Sequence, residues 1–339
     1  MFMKNYFKKL LYILTAQSAL AYPAHKAIIK SEFIFNKPPF KSCHASTLTE
    51  TSTNKILCSY FAGSEEGKKD VSIWISSLEN STWSEPKKLI NYPKEAHWNP
   101  VLFTLPSNEI LLFYKVGKNP GTWSGFLKRS HDNGNSFTES EIFPSGIYGP
   151  IKNRPMLLDD GTLLCPSSQE SYVAWACYME LTDKNCRKWQ RSSPIIDPQN
   201  SRGIIQPTLF LTKEGNIRML ARSFKQGYIY TATSTNKGYS FSDATPTTLP
   251  NPNSAIDAIK LLDGRVLLVY NHSKKKRFPI NVAISDDDGK TWKMKLSLEK
   301  KRGEYSYPAV IQSKDGLVHI TYTWKRKKIK YVVLDPKLL

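Results

Sequence analysis

Six short stretches of this sequence carry side chains that could do chemistry: Ser42-Cys-His44, Trp98-Asn99, Lys152-Asn153-Arg154, Gln206, Asn251-Pro-Asn253 with Asp257, and Glu304-Tyr305-Ser-Tyr307. Imidazole, carboxyl and phenol groups transfer protons, while guanidinium and ammonium groups hold anions. Any one of these residues could be polar only because strand ends are wet. As a set at equivalent points of a repeat, they read as the wall of a polar site.

The elements that must position them are announced by that repeat. Ser130-His-Asp-Asn-Gly-Asn-Ser-Phe137, Ser234-Thr-Asn-Lys-Gly-Tyr-Ser-Phe241 and Ser285-Asp-Asp-Asp-Gly-Lys-Thr-Trp292 share the pattern Ser-x-Asp-x-Gly-x-Ser/Thr-aromatic, with Asn for Asp in the second. Degraded copies begin at Thr182 and Ser76, so the copies start at 76, 130, 182, 234 and 285. A turn signal precedes each by roughly 20 residues, as in Asp160-Gly161, Asp263-Gly264 and Asp315-Gly316. Earlier still comes an anchor at 100, 155, 207, 257 and 308, which is proline in all but Asp257. Short β-branched and aromatic runs lie between, such as Ile110–Val116, Val266–Tyr270, Val318–Trp324 and residues 71–75, and no window beyond the N-terminus has helical periodicity. A period of about 52 residues in an all-β chain predicts a six-bladed β-propeller. Residues 32–35 would close the ring by pairing with the last blade, 303–335, since an open ring leaves unpaired edges. The segments just before the anchors would be the innermost strands, lining the central channel.

The octapeptide itself reads as structural. Its Asp accepts hydrogen bonds from turn amides, its Gly supplies positive φ and its aromatic residue packs between sheets. Residues 1–21 read as a secretory signal peptide: Lys4, Lys8 and Lys9, a short apolar run, then Ala19-Leu20-Ala21 before Tyr22. The remainder, 22–339, is expected to be one exported propeller domain, secreted or periplasmic, monomeric and without a membrane span. Export permits disulfides, with Cys43 and Cys58, or Cys177 and Cys186, the local candidates; an odd count of five leaves at least one thiol unpaired, and the alternative is that all are small buried strand residues. The net charge is +19, with 37 of the 48 basic residues lysine. A solvated lysine coat accounts for the lysines as a group better than an anionic partner does, and no nucleic-acid motif accompanies them.

The octapeptides resemble the Asp boxes of the sialidase (neuraminidase) superfamily. Ser42-Cys-His-Ala-Ser-Thr47, Phe113-Tyr-Lys-Val-Gly117, Gly149-Pro-Ile-Lys-Asn153, Pro250-Asn-Pro-Asn-Ser254 and Glu304-Tyr-Ser-Tyr-Pro308 resemble its bacterial BNR-repeat branch, and the similarity spans 32–335. The resemblance implies an exo-acting, sialidase-like glycoside hydrolase that cleaves a terminal acidic sugar without a cofactor. It further implies a general acid, an arginine clamp on the sugar carboxylate, and a tyrosine nucleophile whose neutrality avoids repulsion. Carried over, Asp70 is the acid, Tyr305 the nucleophile and Arg222 with Arg277 the clamp. His44 stands where the family has its first arginine, and Gln206 where it has the glutamate that assists the tyrosine. Glu304 is then the candidate base, Tyr307 a replacement nucleophile on the same strand face as Tyr305, and Glu170 a reserve acid. Lys115, Lys152, Asn153, Asn253, Asp257 and Tyr307 complete the expected substrate contacts. Two other functions fit the same residues: a uronate lyase with His44 or Tyr305 as base, and a non-catalytic glycan binder.

Overall fold

The computed structural model of the protein describes residues 25–90, 94–200 and 202–339, so the expected signal segment 1–21 lies outside the described residues. Six antiparallel sheets are arranged as a six-bladed β-propeller, and their innermost strands are Ser42–Glu50, His97–Thr104, Met156–Leu157, Ile204–Leu211, Asp257–Lys260 and Tyr305–Gln312. The expected segments at 42–44, 98–99, 206 and 305–307 lie in these strands, whereas 152–154 and 251–253 lie just before the short innermost strands of blades three and five. The ring closes as anticipated: Ile28–Phe33 forms the outer strand of blade six, pairing with Lys328–Leu334 through Glu32 opposite Tyr331 and Phe33 opposite Lys330. Among the described residues no helix is long and apolar enough to cross a membrane.

The hydrophobic core lies in the seams between blades. Strand side chains alternate between two faces, and here each face meets a different neighbouring blade. One apolar cluster fills each seam: Leu57, Ile73 and Leu112 between blades one and two, for example, and Val269, Ile284 and Val318 between five and six. The predicted strands at Ile110–Val116, Val266–Tyr270 and Val318–Trp324 are present, and of residues 71–75 all but Val71 belong to a longer strand, Ser72–Glu79.

In four blades the innermost strand carries one extra residue at the same height. Two residues oppose one between His44 and Thr47, Trp98 and Val101, Ile205 and Thr208, and Ser306 and Ala309. The inserted residues, Ala45, Asn99, Gln206 and Tyr307, all have positive φ. Such a bulge re-aims one side chain and exchanges the faces used by the rest of the strand. Cys43 and Leu48 therefore share one seam, as do Ile204 with Leu209 and Tyr305 with Val310, five residues apart in each case. The anchor prolines Pro100, Pro207 and Pro308 each follow the inserted residue, where a missing N–H removes no ladder bond.

The octapeptide turns behave as read. Asp132 Oδ1 accepts from Ser136 N (2.9 Å) and its Oδ2 from Ser136 Oγ (2.6 Å); Asp287 repeats this with Thr291, while Asn236 Oδ1 accepts from Ser240 N and its Nδ2 donates to Ser240 Oγ. Phe137, Phe241 and Trp292 pack into seams. Of the two readings of the cysteines the structure has the second: all five are buried free thiols, Cys43, Cys58, Cys165 and Cys177 in strands and Cys186 in a loop.

Candidate active site

Tyr307, the inserted residue of blade six, is turned by its bulge toward the channel, where side chains from blades one, four and five meet it. Its hydroxyl lies 3.3 Å from Arg222 Nη1 and 3.4 Å from Gln206 Nε2. The His44 ring packs on it with centroids 4.1 Å apart, and the guanidiniums of Arg222 and Arg277 lie 5.5 and 5.9 Å from its ring centre. Arg222 and Arg277 both donate to the backbone carbonyl of Asn253, at 3.5 and 3.3 Å. Arg222 pairs with Ile205, the residue before the blade-four bulge, so bulge and arginine sit at one height.

A third guanidinium joins them. Arg326, at the tip of the hairpin before Lys328–Leu334, donates from Nε to Glu304 Oε1 (2.9 Å) and from Nη1 to Glu66. Glu304 Oε1 also accepts from Arg277 Nη1 at 3.0 Å. Burial would raise the Glu304 carboxyl, but Arg326 and Arg277 outweigh it and hold it below its ordinary value. Sequence reading passed over Arg326 as part of a basic run. Its signal was positional, because it follows Arg277 by 49 residues, one repeat.

Arg222 differs from its two neighbours. It is only 6 % exposed, and among the described residues no carboxylate lies within ion-pair distance of it. Its Nε, together with His44 Nε2, Gln206 Oε1 and Asn253 Oδ1, is buried without a hydrogen-bond partner. Three of these side chains, His44, Gln206 and Arg222, surround Tyr307, so hydrogen-bonding capacity is left free beside its hydroxyl. Burial first, then Arg326, Arg277, Arg222 and Lys152, push the His44 imidazole well below its usual pKa and keep it neutral.

Several expected residues lie elsewhere. Tyr305 is not in the pocket: its ring is packed in the seam between blades five and six, near Trp324, and burial followed by Glu299 raises its phenol. The expectation that Tyr305 and Tyr307 share a face assumed plain alternation, which the bulge breaks. Asp70 caps its own loop, accepting from Ser64 N and Ser64 Oγ at 2.7 Å each; partial burial would raise it, but these bonds prevail and lower it. A carboxyl so held is poorly suited to remain protonated. Glu170, at the end of Leu163–Glu170, is raised by burial, with Arg222 opposing and Glu66 reinforcing the shift.

Lys115, Lys152, Asn153 and Asp257 are framework rather than pocket lining. The Lys115 ammonium binds the carbonyl of Pro150, and burial lowers it to about 7. Lys152 spans the channel to the carbonyls of Ile256 and Pro308, and burial lowers it to about 8. Asn153 donates to the carbonyls of Gln206 and Pro207. Asp257 accepts from Thr208 Oγ1 and Val310 N, joining blades four, five and six. At the opposite mouth of the channel a cavity of about 350 Å³ is lined by Leu48, Leu102, Met156, Leu209 and Arg154 among others, and it gathers no comparable set of orphaned polar atoms.

Compared with known proteins, the sequence matches the model of the BNR repeat-like domain over residues 54–320. No curated protein matches it. Among solved structures it is similar to a Dyadobacter fermentans protein described as of unknown function, with TM-score 0.78 and 16 % identity over 91 % of this chain and 98 % of that one. It is also similar to the NanB sialidase of Streptococcus pneumoniae, with TM-score 0.73 and 13 % identity over 91 % and 71 %. The intramolecular trans-sialidase of Ruminococcus gnavus gives TM-score 0.72 and 13 % identity over 93 % and 99 %.

Proposed function

The chain belongs to the BNR repeat-like domain family of the sialidase superfamily, and from that premise we propose that it is an exo-acting glycoside hydrolase that removes a terminal acidic sugar. The observation that carries this reading is Arg222, a buried guanidinium without a carboxylate partner among the described residues, beside Arg277 and Arg326. A buried charge is costly unless paired, and a sugar carboxylate supplies the pair in bidentate geometry.

In this reading Tyr307 Oη attacks the anomeric carbon, its proton passing to the neutral His44 imidazole, while Glu170 protonates the departing glycosidic oxygen. Water then attacks the anomeric carbon, giving one proton to the Glu170 carboxylate; the sugar–tyrosine bond breaks and the phenolate takes back its proton from His44. Arg222 and Gln206 orient the phenol, and Arg222, Arg277 and Arg326 hold the carboxylate. Glu304 acts as an orienter of two arginines. Asp70 shapes the loop that carries Glu66.

A second reading has its own support. No carboxylate contacts the Tyr307 hydroxyl among the described residues, and a neutral His44 packs on its ring. That pair suits proton abstraction beside a neutralised uronate carboxylate, followed by β-elimination.

One experiment separates the readings. The purified protein is incubated with α-glycosides of sialic acid and with uronate oligosaccharides, and products are followed by mass and near-ultraviolet absorbance. Hydrolysis gives saturated acid sugar plus aglycone; elimination gives an unsaturated, absorbing product with no gain of water. Turnover of none of the acidic glycosides would refute catalysis and leave a glycan-binding propeller.

A further inference from the structure

The basic residues are not shared evenly between the two ends of the propeller. Each innermost strand starts at the pocket end. The hairpins between second and third strands, and the connections between blades, therefore lie at that end, and the octapeptide turns lie at the other. At the pocket end, blades five and six carry three runs: 274–277 (Lys-Lys-Lys-Arg), 300–302 (Lys-Lys-Arg) and 325–328 (Lys-Arg-Lys-Lys). No acid interrupts them, and Lys274, Lys275, Lys300, Lys301, Lys325 and Lys327 are all exposed. The opposite end is rich in acids, among them Asp132, Asp160, Asp263, Asp286, Asp287 and Asp315. The opposite end also carries lysines, among them Lys184, Lys188, Lys237 and Lys290, but acids are interspersed with them there, so the feature particular to the pocket end is the acid-free clustering of the basic runs.

Every run also borders the pocket. Arg277 ends the first, Glu304 follows the second by two residues, and Arg326 lies within the third. Aromatic rings alternate with the ammonium groups: Lys274 Nζ lies 4.2 Å from the centre of the Tyr228 ring, Lys325 Nζ 4.4 Å from that of Trp324, and Lys276 Nζ 5.5 Å from that of Phe278. Flat apolar faces suit sugar rings, and the ammonium heads beside them suit sulfates or carboxylates on those rings.

We propose that blades five and six form a docking surface for a polyanionic glycan, whose terminal acidic sugar enters the pocket while its following sugars lie across the basic rim. The inference rests on the acidic-sugar reading of the pocket and extends it: the substrate is an anionic chain rather than a neutral glycan with one acidic end. Single-stranded nucleic acid also offers stacking faces and negative charge, but the rim leads directly into a guanidinium pocket suited to a carboxylate, which favours the glycan.

The test is titration of the full chain with polygalacturonate and heparin octasaccharides at two salt concentrations. A rim variant (Lys274→Ser, Lys275→Ser, Lys300→Ser, Lys301→Ser) is compared with a variant that removes four lysines at the other end (Lys184→Ser, Lys188→Ser, Lys237→Ser, Lys290→Ser). The rim variant is expected to bind at least one octasaccharide about tenfold or more weakly and with a shallower salt dependence, with the far-end variant close to wild type. Equal losses in both variants, no loss in the rim variant, or tighter binding of a single-stranded oligonucleotide of equal charge would each overturn the proposal. An Arg222→Met variant keeps the two readings apart. Rim-dependent binding that survives it while acidic monosaccharide binding was never present refutes only the pocket reading.

Discussion

Tyr307 reaches the channel because it is the inserted residue of a bulge, and its φ of 54° is a cost the strand bears at the point where chemistry is expected. Around it the ionisable groups separate by environment. Glu170 is raised by burial and Asp70 is lowered by its Ser64 bonds. An acid catalyst must hold its proton, so activity should fall as pH rises through the raised Glu170 pKa. Glu170→Gln is expected to remove that alkaline limb and to lower kcat/KM by roughly 100- to 10,000-fold on substrates with poor leaving groups. Asp70→Asn should change kcat/KM little and leave the limb in place. The opposite pattern in pH–rate profiles would return the acid role to Asp70. His44 and Gln206 were singled out in the sequence because polar residues stood at repeat-equivalent places, whereas Arg222 and Arg277 were singled out through the family resemblance. The choice between Tyr305 and Tyr307 was not legible, since it depends on one inserted residue that alternation cannot show.

At the scale of elements, the octapeptide turns lock blade to blade. A Cβ on Gly134 would lie 2.3 Å from Leu57 Cδ1 on the preceding blade, whereas one on Gly161 would meet nothing within 4 Å, and both glycines have positive φ, 81° and 83°. Gly161→Ala should therefore cost about 1 kcal/mol of strain alone. Gly134→Ala adds overlap with a neighbouring seam and should cost about 2–4 kcal/mol in chemical denaturation. Equal costs would mean that the glycine serves only the turn. Repeats, hairpins and anchor prolines were readable because each rests on local chemistry. That Pro100, Pro207 and Pro308 mark bulges rather than plain strand starts emerges only from the register with the second strand.

For the whole molecule, closure and charge decide what the ring can do. The N-terminal strand Ile28–Phe33 completes blade six, and Lys152 and Asp257 tie the innermost strands across the channel. The pocket thus sits on a rigid frame rather than on one loop. The propeller was legible from its period, whereas the charge asymmetry was not, because alternate loops of a blade go to opposite ends and a linear sequence mixes them. The central claim is that this pocket is a carboxylate receptor with Arg222 at its base. It is tested most directly by calorimetric titration with free sialic acid, glucuronic acid and galacturonic acid, each beside its methyl ester, in wild type and Arg222→Met. Saturable binding is expected for at least one acid. Loss of the charge, or of Arg222, should weaken it by about 1.5–3 kcal/mol, roughly 10- to 100-fold. Esters that bind as tightly as acids, an Arg222→Met variant that binds like wild type, or no binding of any acid would contradict the account.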